Sequence, residues 1–424
     1  MTESVRFADL IDYEIGGGWG QEEPTSETPY GAFVIRGTDV PRASMGDLSS
    51  IPYRFHKPSN LSTRELQHND LVFEVSGGSK GQPVGRALLV NQRLLDRLGG
   101  PTMCASFCKL IRLDPRRSNP RYVFRRLQAA YNNAELDAYQ VQSTGITNFR
   151  WKPFLEHFEI LLPDSESQSR VAEILDSIDD LVENTRRRME VLQEMARAIY
   201  REWFVRFRYP GHESVPLVDS PLGPLPDGWQ VRPLFDLAHV GFGFSFKSKH
   251  FSNAGLHPVV RIRDVPNGTT KTYSDEIAPE RYRVVDGDIL IGMDGEFHLR
   301  QWTGGEAWLN QRVTRLRPVN GISARHLMLA ITGPIRDWNA AISGTTVAHL
   351  GKRHLEQILV VAPPHQILAL ATPLFNDVAD QARTLVQTSR RLTSLRTLLL
   401  PKLVTGQIDV SHLDLDALTK AAIS

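Results

Sequence analysis

Residues 171–203 read VAEILDSIDDLVENTRRRMEVLQEMARAIYREW. Val171, Leu175, Ile178, Val182, Thr185, Met189, Leu192, Ala196, Ile199 and Trp203 follow one another at steps of 4, 3, 4, 3. This is an a/d heptad seam, the pattern of a helix that buries one stripe against another helix along its whole length. No capping signal interrupts it. At 1.5 Å per residue the seam is about 48 Å long. A second, weaker seam runs through Ala371, Phe375, Val378, Ala382, Leu385, Ser389, Leu392, Arg396, Leu399 and Leu403. Pro373 is expected near its first turn, where proline is tolerated, and Pro401 is expected to kink or end it. Two seams of equal length in one chain predict a coiled coil made within the chain. The plainer alternative lays each helix on its own domain.

Working outward, the two seams close two similar halves. Residues 192–200 (LQEMARAIY) sit 200 positions before residues 392–400 (LTSLRTLLL), and Trp203 matches Leu403 at the same offset. Earlier echoes keep their order at drifting offsets. Phe7-Ala8-Asp9-Leu10 resembles Leu234-Phe235-Asp236-Leu237, and VIRGTDV at 34–40 resembles VVRIRDV at 259–265. Asn69-Asp70-Leu71-Val72 resembles Gly287-Asp288-Ile289-Leu290, and residues 145–163 resemble residues 344–363. So long a period excludes a solenoid and predicts two similar domains, each followed by a helix.

The segments before each helix read as mixed α/β. Short β-branched runs at 87–90, 160–162, 259–262, 288–291 and 358–361 alternate with helical patterns at 121–130 and 324–331. Residues 209–228 hold five prolines and three glycines and read as a linker with no helix or strand of its own. The expected domains are 1–166, a helix over 167–208, a linker over 209–224, a second domain over 225–365, a second helix over 366–410 and a tail over 411–424. Loops at 76–85 (SGGSKGQPVG) and 243–251 (GFSFKSKHF) are candidate binding loops.

Composition sets bounds on this reading. The chain has 424 residues, 41% hydrophobic and 23% charged, which fits a globular protein and excludes disordered and collagen-like classes. Lysine and arginine total 49 against 48 acids, a formal charge of +1 that neither favours nor forbids a nucleic-acid partner. The only cysteines, Cys104 and Cys108, exclude a disulfide framework and point to a reducing cytoplasm. The opening MTESVRFADL has no basic-then-apolar leader, and no run reaches a membrane-spanning length.

Catalytic signatures are missing. The only Pro-Pro pair, Pro363-Pro364, follows Ala362, so it lacks the polar side chain with which a DNA methyltransferase holds an exocyclic amine. SGGSKG at 76–81 lacks the Gly-Lys-Ser/Thr order of a phosphate-cradling loop. Asp286, Asp288, Asp294 and Glu296 are acids of the kind that bind Mg²⁺. Their match to Asn69-Asp70 reads instead as a tight turn entering a strand. Cys104 and Cys108 have no second ligand pair and read as small buried hydrophobes. The eight histidines within 225–365 form no recognisable triad or zinc motif. Binding chemistry remains: Asn148-Phe149-Arg150-Trp151-Lys152 and residues 244–249 (FSFKSK) interleave aromatics with cations, the residue types that contact phosphates and base edges.

Residues 225–234 (LPDGWQVRPL) with the GFSFKSKHF run, residues 196–207 (ARAIYREWFVRF) and residues 396–408 (RTLLLPKLVTGQI) together resemble the specificity subunit of type I restriction–modification systems. The resemblance covers about residues 5–410 in the family's order. The first domain departs most, since it lacks the Leu-Pro-x-Gly-Trp start and carries Gly16-Gly17-Gly18-Trp19-Gly20 where the second has Gly243-Phe244-Ser245-Phe246. The resemblance implies two target-recognition domains related by a pseudo-twofold axis, spaced by an antiparallel coiled coil. Each domain reads one half of a split DNA target. It also implies two modification subunits as partners, with S-adenosylmethionine, and restriction subunits with ATP and Mg²⁺; this chain itself has no cofactor, metal or catalysis.

The candidate DNA-binding residues are Arg36, Lys80, Gln82, Arg86, Asn148, Arg150 and Lys152 in the first half. In the second they are Lys247, Lys249, Arg261, Arg263, Arg300, Gln301, Lys352 and Arg353. The plainer alternative for each is a solvated surface charge. Phe149 and Leu350 hold the same place in the repeat and are expected to be core anchors. Two readings from other classes stay open: a coiled-coil adaptor that binds protein, and a metal-dependent nuclease using the Asp286–Glu296 acids.

Overall fold

Two long helices organise the chain. In the computed structural model, which describes residues 3–77, 82–143, 145–342 and 348–410, the first long helix runs Ser165–Tyr200 and the second His365–Val404. Asp164 starts the first by accepting the Ser167 N–H at 2.9 Å, and that bond holds its carboxyl below the usual range. A π-helical stretch, Arg201–Val205, prolongs it. Every position of both seams is buried or half-buried and none is exposed, as a stripe of period 3.5 requires. Leu175, Ile178, Phe375, Val378, Leu385 and Leu392 are buried, whereas Val182, Met189, Leu192, Ile199 and Leu399 are half-buried.

Both proline expectations need correcting. Pro373 lies well inside the second helix, beyond its first turn. Pro401 does not end it, since the helix continues to Val404 and closes at Gly406, which takes a φ of +70°. A proline near a helix C-terminus forfeits one main-chain bond, and burial of Leu400, Leu403 and Val404 in the core offsets that loss.

The chain divides into two units, Met1–Asn184 with Thr388–Ser424, and Thr185–Gln387. Each long helix therefore gives one half to each unit. In the first unit Leu175 and Ile178 share a core with Leu392, Leu400 and Leu403. Residues early in one helix meet residues late in the other, so the pairing there is antiparallel. In the second unit Ala196, Phe204 and the half-buried Leu192 and Ile199 pack with Ala371, Phe375 and Val378, again late against early.

The globular parts repeat one topology. In the first unit Glu3–Arg6 pairs antiparallel with Glu159–Leu162. A short helical turn follows, then a four-stranded sheet ordered Ile11–Gly16, Cys108–Leu113, Leu71–Glu74, Ala87–Leu89. In the second unit Gln230–Pro233 pairs with Leu359–Ala362. The corresponding sheet is ordered Ala238–Phe242, Val313–Pro318, Ile289–Gly292, Leu299–Gln301. Each unit also has a parallel pair, Tyr30–Ile35 with Thr102–Cys104 and His257–Val260 with Ala307–Leu309. A helix, Pro120–Asn132 or Ala324–Ile342, packs on the sheet of each. Phe149 and Leu350 are buried in the two cores.

The echoed turns do the same work twice. Asp70 accepts the Gln67 N–H at 2.7 Å and Asp288 the Val285 N–H at 3.0 Å. Each then binds an arginine fork from the adjoining strand, Arg112 at 2.7 and 2.8 Å and Arg317 at 2.6 and 2.9 Å. The preceding residue takes positive φ in both, +70° at Asn69 and +97° at Gly287, a conformation Asn and Gly tolerate. The linker departs from expectation: Leu217–Val218 pairs with Leu225–Pro226 around a turn in which Ser220 bonds Gly223. Proline-rich spacing does not prevent a two-residue ladder when the bonded groups lie outside the prolines' missing N–H.

Candidate nucleic-acid interface

In each unit a glycine lets a loop pass close against backbone, at Gly17 in the first and at Gly243 in the second. A Cβ on Gly17 would lie 2.2 Å from the Cys104 carbonyl oxygen, and one on Gly243 would lie 2.0 Å from that of Asn310. Only glycine passes so close to backbone. Beyond these points the chain carries aromatic and cationic side chains: Trp19 lies beneath the Arg54 guanidinium at 4.5 Å, and Phe244 contacts Phe246 and Tyr282.

In the first unit the candidates take different roles. Gln140–Ser143, Ile146–Phe149 and Ser76–Gly77 form a small sheet that exposes Asn148, whose amide oxygen accepts from Ser76 at 2.7 Å. Gln82 and Lys152 are exposed, and Arg150 is exposed while donating to the Ala138 carbonyl. Arg36 is turned inward, onto Asp39 at 2.9 Å through two nitrogens and onto the Ser50 carbonyl at 2.6 Å. Arg86 needs correcting as a DNA contact. It forks onto Glu74 at 2.6 and 2.8 Å with side-chain exposures of 11% and 2%, so it is the counter-ion of an interior carboxylate. Lys80 lies outside the described residues.

In the second unit Lys247 and Lys249 are exposed on the loop, which is tied down by the Lys247 N–H donating to Glu276 at 2.7 Å. Lys249, His250, Phe251, Leu256, His257 and Asp275 line a cleft of about 360 Å³. His250 Nδ1 lies 2.7 Å from the Asp275 carboxylate. Arg261 stacks over Phe251 at 5.0 Å. Arg263 is exposed and donates to the Thr272 hydroxyl at 3.0 Å. Arg300, also exposed, donates to the Pro266 carbonyl, and the half-buried Gln301 donates to the Gly287 carbonyl at 3.3 Å. Lys352 and Arg353 are exposed on the Lys352–Glu356 helix, where Lys352 lies 3.4 Å from Glu356. The cleft thus gathers Lys249 with Phe251, the ring on which Arg261 stacks, whereas Arg300, Gln301, Lys352 and Arg353 are placed by other turns.

The acids at 286–296 serve separate local contacts. Asp286 accepts the Gly305 N–H at 2.7 Å, Asp288 binds Arg317, and Asp294 lies 2.6 Å from His349 Nδ1. Among the described residues no group of three or more His, Cys, Asp or Glu could hold a metal. Cys104 and Cys108 are buried, and burial pushes the Cys104 thiol up to about 12. Sequence reasoning missed Arg54 and the His250–Asp275 pair. The glycine run before Trp19 was the available signal for the first; the partners of the second are 25 residues apart and left none.

Residues 226–368 match the type I restriction modification DNA specificity domain. The chain is 36% identical over 202 residues to the EcoBI type I restriction enzyme specificity subunit of Escherichia coli, covering 46% of this chain and 42% of that one. These matches make the chain similar to type I specificity subunits. A second such subunit, the MjaIX specificity subunit of Methanocaldococcus jannaschii, is 26% identical over 275 residues, covering 61% of this chain and 62% of its own. The chain thus spans about two fifths to three fifths of the length of these two relatives. Its fold is that of the type I S subunit from M. genitalium, at a TM-score of 0.55 and 16% identity over 95% of this chain and 96% of that one. Among the described residues no helix is long and apolar enough to cross a membrane.

Proposed function

We propose that this chain is the DNA sequence-specificity subunit of a type I restriction–modification system, acting in the cytoplasm. The observation that carries the reading is the duplication. One topology occurs twice, its second copy matches a DNA specificity domain, and each copy presents its own exposed cations and polar groups. Two readers on one chain suit a target in two halves, and because their loops differ, the half-sequences differ. The chain does no chemistry of its own. Two modification subunits bring S-adenosylmethionine and restriction subunits bring ATP and Mg²⁺, while this chain scaffolds them on the DNA. Exposed Gln82, Asn148, Lys152, Lys247, Lys249, Arg263, Lys352 and Arg353 are its proposed phosphate and base contacts.

The test is co-purification with a cognate modification subunit, followed by mapping adenine methylation on random-sequence DNA. A split motif that appears only when this chain is present is the expected result. Stable assembly with no methylated motif would instead support a protein adaptor, and metal-dependent cleavage by the chain alone would support a nuclease.

A further inference from the structure

Two Arg-x-x-Asp turns hold the same place in the two units, Arg36–Asp39 and Arg261–Asp264. In both, the arginine main-chain N–H donates to the aspartate at 2.9 Å. There the likeness ends. Arg36 also commits its guanidinium to Asp39 and to the Ser50 carbonyl. The Arg261 guanidinium makes no hydrogen bond or ion pair among the described residues. Its central carbon lies 5.0 Å over the Phe251 ring, and the residue is half-buried.

A guanidinium carries five N–H donors and cannot shed its charge. Stacking satisfies its face and restricts its rotamers but leaves the donor edge unused. That edge is therefore prepared for a planar partner with two acceptors side by side. In duplex DNA the O6 and N7 of guanine in the major groove offer that pair. A phosphate offers paired oxygens too, but the exposed Lys249 on the adjoining cleft is better placed on the rim for that task. We propose that Arg261, held flat on Phe251, reads a guanine in the half-site of the second unit, whereas Arg36 only closes its own turn. This rests on the reading of the chain as a DNA specificity subunit.

The test is methylation-motif mapping with the modification complex carrying the wild-type chain, Arg261→Gln, Arg261→Lys, Phe251→Leu or Arg36→Gln. Arg261→Gln is expected to lose discrimination at one G·C position by roughly 5- to 150-fold, with the other half-site unchanged. Arg261→Lys does not restore it, because an ammonium lacks the fork. Phe251→Leu weakens the same position, and Arg36→Gln leaves the motif intact. An unaltered motif with Arg261→Gln overturns the proposal, as does rescue by lysine or an equal loss at every position, which marks a phosphate contact. A wild-type complex that methylates no motif overturns the specificity-subunit reading and this inference with it.

Discussion

Gly243 and His326 show how single residues hold the second unit's architecture. Gly243 lets its loop pass so close to the Asn310 carbonyl that an added Cβ would lie 2.0 Å from the oxygen, and only a backbone shift could relieve that. Gly243→Ala is expected to destabilise the unit by roughly 1–3 kcal/mol or more, read as a lower thermal midpoint. Gly333→Ala is the control: that glycine lies in the Ala324–Ile342 helix with nothing within 4 Å of its added Cβ. Because Pro334 follows and its ring opposes a Cβ in helical geometry, the usual gain of about 0.5–1 kcal/mol is offset, and the midpoint should stay close to wild type. His326 is buried, its ring 4.1 Å from Phe204 and 5.5 Å from Phe375, and desolvation pulls its pKa from 6.5 down to about 4. The unfolded chain takes up this proton near pH 6.5, the folded chain only near 4. Stability is therefore full above pH 6.5 and falls as pH drops through that window, by on the order of 3 kcal/mol. Thermal melts at pH 7.5 and pH 5 test this. His326→Phe should show a smaller difference than wild type, and equal differences would remove His326 as the cause.

Between elements, the two units seat their sheet-packing helices on the long helices by different chemistry. In the first unit Arg125, 4% exposed at its side chain, bridges Asp176 at 2.6 Å and Asp179 at 2.7 Å. Arg121 adds a contact to Asp176 at 2.7 Å, and Arg396 of the second long helix one to Asp179 at 2.8 Å. Tyr122 donates to the carbonyls of Leu161 and Val404, and burial pushes its phenol up to about 12. In the second unit the corresponding helix places His326 among Tyr200, Phe204 and Phe375 instead. Removing the one buried member of this half-exposed network costs about 1–3 kcal/mol, because Arg121 and Arg396 still face the two aspartates. Arg125→Leu should lower the urea midpoint of the first unit accordingly. Asp176→Asn should cost less, because Asp179 still faces the guanidinium. Equal losses would mean that the Arg125–Asp176 bond carries the whole effect and Asp179 adds nothing. The helices themselves were legible from their 3-4 spacing, as were the strand runs. Helix ends were not, because Pro401 is overruled by the core around Leu400, Leu403 and Val404.

At the scale of the whole molecule, the proposed function makes helix length a ruler. One heptad inserted in each long helix adds about 10.5 Å, or about three base pairs at 3.4 Å each. The expected outcome is a methylation motif whose unread gap lengthens while both half-sequences stay the same. Half-sequences that change, with the gap constant, would refute the ruler.

What the sequence determined by itself was periodic and local: the heptad seams, the order of the repeat and the Asp70 and Asp288 turns. These follow from contacts within a few residues or from one buried stripe, so they are written in spacing. The tertiary structure alone decided which cations are available. Arg86 resembles a loop cation in sequence, yet the fold closes it onto Glu74. Arg36 and Arg261 share one motif, yet the Ser50 carbonyl faces only the first, and the Phe251 ring only the second. A charge's role depends on the partner brought beside it, and the chain's path through space sets that partner.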